Sequence, residues 1–336
     1  MNGERVYRAS APVRLDFAGG WTDVAPFASE EGGVVVNAAI ELRSYAEVRL
    51  GGAGYVLRAD DLGKQVELAE SQWTAAAARG QGLLGAAVWR SGLGPCMLRT
   101  RSDVPQGSGL GSSGALAVAL TAALDAARQI RRTPDEWAEA AFQLEAVEAA
   151  LPGGRQDQYA AALGGCHRLG FAGSTVIAEP LPLEREFAAA LEQRIVVCYT
   201  GTSRVSSETI TRVMRAYSAG EAAVVDALRM LADLADRMAK ALRAGNLTQV
   251  GRLLTANWRQ QQRLDPGMCT ADMARLETAM LAAGALGGKA AGAGAGGCMF
   301  FLMRDPASAR PAAEAAGARV LEWRWAGRGV QVESLQ

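Results

Sequence analysis

A mixed α and β chain with room for two packed domains is the fold class the sequence predicts, on three observations. Strand-like alternation crowds the first fifty residues, and long helical patterns dominate the second half. At 336 residues the chain can also build a core that needs no disulfide or metal staple. Residues 13–18 alternate, with Val13, Leu15 and Phe17 on one face and Arg14 and Asp16 on the other, as in a half-buried strand. That charged face must meet water or a site. Residues 34–40 and 44–50 read as further strands, the second with Ala46, Val48 and Leu50 inward and Tyr45, Glu47 and Arg49 outward. A helical stretch over 75–89 precedes a weak strand over 96–104, which runs into PQGSGLGSSGAL and an alanine-rich helix striped by Leu116, Leu120 and Leu124.

Thr133-Pro134-Asp135-Glu136 opens the next helix, with Thr as cap, Pro in the first turn and Glu136 completing a capping box. Leu151-Pro152-Gly153-Gly154 stops it. Short strands follow over 166–171 and 194–199, then long helices over 206–243 and 247–263 and another over 271–283. That helix reaches GALGGKAAGAGAGG, a loop that leads into a strand at 298–303 and a closing helix and strand. Without an internal repeat or a low-complexity linker, the domain boundary is placed near residue 170, dividing 1–170 from 171–336.

Composition narrows the function classes. Lys plus Arg and Asp plus Glu both number 35, so no net field is available to hold a polyanion, and nucleic acid is not an expected partner. Arg128, Arg131 and Arg132 make a local basic spot, read as a helix end offsetting its dipole. Five cysteines, an odd number without CxxC spacing, fit reduced thiols in the cytosol. His167 is the sole histidine, so triad and zincin chemistries are excluded. The opening MNGERVYRAS lacks the apolar core of a signal peptide, and no apolar run approaches the ~20 residues of a membrane helix. A cytoplasmic chain without a membrane partner is expected; monomer and homo-oligomer stay open.

The segment richest in chemistry is Pro105-Gln106-Gly107-Ser108-Gly109-Leu110-Gly111-Ser112-Ser113, a glycine-rich turn passing directly into a helix. Three glycines let backbone N–H groups approach an anion, the paired serines add hydroxyl donors, and the helix N-terminus contributes about half a positive charge. The alternative is a tight strand-to-helix turn that uses glycine for backbone freedom alone. It is not a Walker A loop: Gly288-Lys289 has Ala283 where the first Gly belongs and Ala290 where Ser or Thr should follow. Gly292-Ala293-Gly294-Ala295-Gly296-Gly297 matches GxGxxG literally, but a helix precedes it and a strand follows, the reverse of the dinucleotide-binding order. Close packing against another loop or a ligand explains those glycines better.

PQGSGLGSSGAL resembles the second motif of the GHMP kinases, the family of galactokinase, homoserine kinase and mevalonate kinase. APVRLDFAGGWTD at 11–23 resembles the first motif and GAGAGGCMFF at 292–301 the third. Within the family, Pro152-Gly153-Gly154-Arg155-Gln156-Asp157-Gln158 and Gly284–Lys289 look most like the D-glycero-D-manno-heptose 7-phosphate kinases. Gly19-Gly20-Trp21-Thr22-Asp23 is closer to the fucokinase branch, because the heptose kinases carry a third glycine where this chain has Trp21. The resemblance implies an α+β N-terminal domain with a left-handed βαβ crossover, a ferredoxin-like C-terminal domain and a site between them.

The same resemblance implies ATP and Mg2+ as cofactors and a small sugar or sugar phosphate as partner. ATP would lie on Pro105, Gly107, Ser108, Gly109, Leu110, Gly111, Ser112 and Ser113, and magnesium on Ser113 and Glu145, with Glu148 one turn along as the alternative. Asp157 becomes the base that takes a proton from the sugar hydroxyl, as phosphoryl-transfer chemistry allows, and Arg14 its neighbouring cation. An N-cap role for Asp157 and a pairing of Arg14 with Asp16 are the alternatives. Asp23, Gly20, Trp21 and Gly154 are assigned to the substrate. Arg204, in the hydroxyl-rich segment 199–207, is a candidate sensor of a substrate phosphate, with a helix cap as the alternative. The implied reaction phosphorylates an anomeric hydroxyl, of heptose 7-phosphate first or of fucose or another free sugar second. A decarboxylase and a catalytically silent sugar sensor, both found in the family, are further readings.

Overall fold

The computed structural model describes residues 5–202 and 206–335. β1 (Val6–Ala18) and β2 (Gly33–Leu50) form a long antiparallel pair, with the short helix α1 (Phe27–Glu30) between them. β3 (Gly54–Ala59) and β4 (Lys64–Ala69) make a hairpin, and α2 (Ala75–Arg79) and α3 (Gly82–Ser91) lead to β5 (Cys96–Ser102), which lies parallel to β3. α4 (Ser112–Ala127), α5 (Pro134–Gln143) and α6 (Gln156–Leu163) follow, α4 packing against β1 and β2. β6 (Cys166–Ala172) and β7 (Thr175–Pro180) complete the forward run of this sheet, whose order is β4-β3-β5-β2-β1 with β6 on β2 and β7 on β6.

After α7 (Arg185–Arg194) the chain enters a second sheet at β8 (Ile195–Tyr199). Four helices follow: α8 (Ser206–Ser218), α9 (Ala222–Arg243), α10 (Leu247–Gln262) and α11 (Ala271–Ala282). β9 (Ala285–Ala290), β10 (Cys298–Met303), α12 (Ala309–Ala315) and β11 (Arg319–Leu321) close this sheet in the antiparallel order β11-β8-β10-β9. Strand, helices, two strands, helix, strand in that spatial order is the ferredoxin-like arrangement. β12 (Gln331–Leu335) then returns to pair with β1, so the first sheet runs past residue 170 to Pro180 and regains residues 331–335. Among the described residues no helix is long and apolar enough to cross a membrane.

Most of the expected elements are present, and the differences have local causes. The two strands expected over 34–40 and 44–50 are one continuous β2, with register shifts against β1 between Pro12 and Val13 and between Asp16 and Ala18. The helix expected over 206–243 is broken after Ser218, where Gly220 takes a positive φ. Residues 285–290, expected to be loop, form β9: the glycines there admit α10 so closely that a methyl on Gly287 would lie 1.8 Å from the Gly251 carbonyl oxygen. The capping box at Thr133 is formed.

The charged face of β1 turns toward a cleft and not toward open solvent. Arg14 and Asp16 are buried, as are Val13, Leu15 and Phe17 behind them. Phe17 packs edge-on against Phe300 of β10 at 5.6 Å, joining the cores under the two sheets. The glycine run 292–297 packs on the other glycine-rich loop, as expected of it. Gly292 lies so near that a methyl would stand 2.3 Å from the Gly109 oxygen, and the Cys298 N–H donates to the Ser108 carbonyl at 2.7 Å. Phe17→Ala should therefore lower the unfolding free energy by about 3–5 kcal/mol, the usual cost of emptying a buried aromatic site. A urea titration followed by tryptophan fluorescence checks this.

Candidate active site

The loop between β5 and α4 is shaped by its glycines. Gly107, Gly109 and Gly111 all have positive φ, and the Ser108 N–H closes a turn onto the Pro105 carbonyl at 3.1 Å. Leu110 is buried in the core and offers its carbonyl to the Arg14 N–H at 2.9 Å, so Pro105 and Leu110 anchor the loop and do not line the cleft. Gly111 is the N-cap of α4 in the left-handed region, and no side chain caps the helix. The first-turn N–H groups behind Ser112 and Ser113 thus suit an anionic ligand. The Ser108 hydroxyl is buried with no partner in the protein.

This loop floors a cleft of about 430 Å3 that also exposes Arg14, Asp157, Glu145, Asp23 and Trp21. Arg14 reaches from β1 to Asp157, its Nε and Nη2 both 2.8 Å from Oδ1. Its Nη1 donates to the Gly109 carbonyl at 2.6 Å and to the Ala291 carbonyl at 2.9 Å. Neither sequence alternative is found. α6 starts at Gln156 with Arg155 at its N-cap, which puts Asp157 in the first turn, and Asp16 pairs with Lys289 in place of Arg14. A side chain at Gly111 would press on the Asp157 carboxylate, since a methyl there would lie 3.0 Å from its Cγ.

Glu145 sits in a π-helical turn, Leu144–Glu148, that continues α5. Its carboxylate accepts from the Ser113 hydroxyl and, at 2.6 Å, from Gln158 Nε2. Burial pushes its pKa up to about 7, against the opposing pull of those two donors, with Asp157 adding to the rise. Glu148 is exposed and lies outside the cleft. A hydroxyl and a carboxylate side by side at the start of α4 fit a magnesium ion, which takes oxygen ligands and keeps several waters. Among the described residues no group of three or more His, Cys, Asp or Glu could hold a metal, so this pair would share the ion with water and ligand oxygens.

At the other end of the cleft Asp23 is buried, its Oδ2 accepting the Gln156 N–H at 3.1 Å and its Oδ1 the Gln156 side chain at 3.4 Å. Burial is the main cause that raises its pKa to about 6; the Gln156 N–H opposes, while Asp157 and Asp16 add to the rise. Gly154 faces this carboxylate, where a methyl would come within 1.8 Å of Oδ2. Gly20 faces Asp16 in the same way. Trp21, with φ of 84°, is 5% exposed, and its indole Nε1 has no partner. Arg204 lies outside the described residues; Ser207 and Ile210 of α8, just beyond it, line the cleft.

Sequence reasoning gave no role to Lys289 and offered Asp16 only as a partner for Arg14. Lys289 is wholly buried, its Nζ donating to Asp16 Oδ2 at 3.0 Å and to the Asp16 carbonyl at 2.7 Å. Burial pulls its pKa down, and Asp16 pulls it back. The available signal was the isolation of one lysine in a run of glycine and alanine.

A model of the GHMP kinases N terminal domain matches residues 76–165, and one of the GHMP kinases C terminal region matches 238–321. This chain belongs to the GHMP kinase family. Its fold is accordingly the two-domain GHMP kinase fold. A D-glycero-alpha-D-manno-heptose 7-phosphate kinase of Campylobacter jejuni is 28% identical over 315 residues, covering 90% of both chains. A bifunctional fucokinase/GDP-fucose pyrophosphorylase of Arabidopsis thaliana is 26% identical over 90% of this chain, which spans 30% of that longer protein. A crystal structure described as a D-glycero-D-manno-heptose 1-phosphate kinase from Bacteriodes thetaiotaomicron superposes with a TM-score of 0.77 at 24% identity, covering 98% of this chain and 99% of that one.

The buried carboxyls of Asp23 and Glu145 both contribute to the pH response of this GHMP kinase, and Asp23 is the one free of the proposed metal pair. A group whose pKa rises from 3.8 to about 6 on folding binds more protons in the native state, so stability is lost as pH rises through that window. About two pKa units correspond to about 3 kcal/mol. The ligand-free protein should therefore melt lower at pH 7 than at pH 4.5 on this account, and Asp23→Asn should flatten that slope. Thermal melts of both proteins across pH 4–7 measure it.

Proposed function

We propose that this kinase moves the terminal phosphoryl group of ATP onto the anomeric hydroxyl of D-glycero-D-manno-heptose 7-phosphate, giving the 1,7-bisphosphate. The observation that carries the reading is the approach of Arg14 to one oxygen of Asp157, beside an uncapped helix N-terminus. Asp157 Oδ2 then takes the proton from the acceptor hydroxyl, while Arg14 holds Oδ1 and so fixes the carboxylate's orientation. The N–H groups of Gly107, Gly109, Gly111, Ser112 and Ser113, which line the cleft, and the dipole of α4 hold the phosphates and answer the charge that develops on them. Ser113 and Glu145 would hold magnesium, which neutralises phosphate charge when bound. Asp23, held by Gln156 and given room by Gly154, orients sugar hydroxyls, with Trp21 and Gly20 beside it. Similarity to the Campylobacter heptose 7-phosphate kinase along 90% of both chains supports the choice of sugar, and we assign Arg204 to its phosphate.

Fucose or a related free sugar is the second reading, supported by Trp21 in the cleft wall and by the similarity to a fucokinase. ADP release measured across phosphorylated and free heptoses, hexoses and deoxyhexoses decides between them. Heptose 7-phosphate should give the highest kcat/KM, and Arg204→Ala should erase its advantage over the unphosphorylated heptose. Fastest turnover of fucose would instead establish the second reading. Asp157→Asn should lower kcat on the order of a hundredfold or more with ATP affinity held, as for loss of a general base. A folded Asp157→Asn protein with parental kcat removes the proposed chemistry. Ser113→Ala should raise the magnesium concentration needed for half-maximal rate.

A further inference from the structure

Arg14 and Asp16 stand two residues apart on β1, so their side chains share one face of the strand. Two carboxylates therefore compete for one guanidinium: Asp16 on the same strand and Asp157 across the cleft. Asp16 is held elsewhere. Lys289 in β9 donates to its Oδ2 and to its carbonyl, and the side chains of the pair are 0% and 3% exposed. Two residues on from Lys289, the Ala291 carbonyl accepts from Arg14. Positions 14 and 16 of the first sheet thus meet 291 and 289 of the second domain as two rungs. Packing alone does not call for such a pair, because apolar residues of like volume stabilise a buried site as well or better.

We propose that Lys289 is a positioning residue that engages Asp16 and so leaves Arg14 to Asp157. Without the ammonium, Asp16 is a buried carboxylate whose Oδ1 already lacks a partner. Arg14, close enough to act on Lys289 electrostatically, is then the neighbouring cation that can satisfy it. Each hydrogen bond that Nε or Nη2 of Arg14 gives to Asp16 is one withdrawn from Asp157, the carboxylate read above as the base, while Nη1 keeps the Gly109 and Ala291 carbonyls. The inference rests on that reading.

Steady-state ADP release by the full chain tests it, with heptose 7-phosphate as acceptor, or fucose if that is the faster. Lys289→Met should lower kcat about tenfold or more while the KM for ATP stays within about twofold, since the phosphate loop is untouched. Lys289→Met with Asp16→Leu removes the competitor as well and should recover kcat to within about threefold of the parent. A folded Lys289→Met protein with parental kcat overturns the proposal, as does a folded double variant no faster than the single one. If the single variant does not fold, the double variant decides alone, and its failure to fold would give the pair a purely structural role and overturn the proposal too. Asp157→Asn, assayed alongside, tests the base itself: parental turnover there would remove the underlying reading whatever Lys289 does.

Discussion

The guanidinium of Arg14 is the point on which the rest of the structure converges. Its fixed planar fork gives two N–H groups to Asp157 and one nitrogen to both the Gly109 and Ala291 carbonyls, while its own backbone N–H holds Leu110. Three segments far apart in sequence must therefore present acceptors to one plane at the same time. A lysine could not impose that geometry, because an ammonium is a point charge on a flexible stem. Burial of the group makes each acceptor obligatory, since an unmet guanidinium N–H inside the protein is costly.

Two glycine-rich segments follow from that requirement, each for a different reason. In residues 107–111 glycine permits the left-handed turns that bring the Gly109 carbonyl inward and leave the N-terminus of α4 open. In residues 292–297 it permits contact, letting the second domain come near enough for the Ala291 carbonyl to reach the same guanidinium. Phe17 and Phe300, one layer behind, fix the approach of the two sheets that this contact needs.

Features that depend on local chain chemistry were legible in the sequence. The capping box at Thr133, the loop at 105–113 and the alternation of β1 all follow from the spacing of a few neighbouring residues. Elements set by distant packing were not. β9 reads as loop because glycine disfavours strands, and only the closeness of α10 shows why glycine is needed there. Glu145 could not be separated from Glu148 by helical periodicity, because the π turn that contains both shifts the face each one presents. Likewise, the polar face of β1 announces two charges but not their partners. Asp157 and Lys289 lie 143 and 273 residues away, and no local pattern links them.

The cleft divides its charges unevenly, and the division bears on timing. In the proposed reading the acceptor end holds the carboxyls of Asp23 and Asp157, while the phosphate end offers backbone N–H groups, hydroxyls and a helix dipole beside the Glu145 carboxyl. Arg14 and Lys289, both buried, each face a carboxylate. In the proposed reaction this pairing matters most when Asp157 takes the hydroxyl proton. The carboxyl then becomes neutral, and the positive charge of Arg14, until that moment answered by Asp157, is left uncompensated beside the transferring group. Charge is thereby supplied when the transition state needs it, without movement of the side chain and in a site that water screens little. A permanently unpaired cation in the same place would bind the ground state as well, raising affinity for ATP without the same gain in rate.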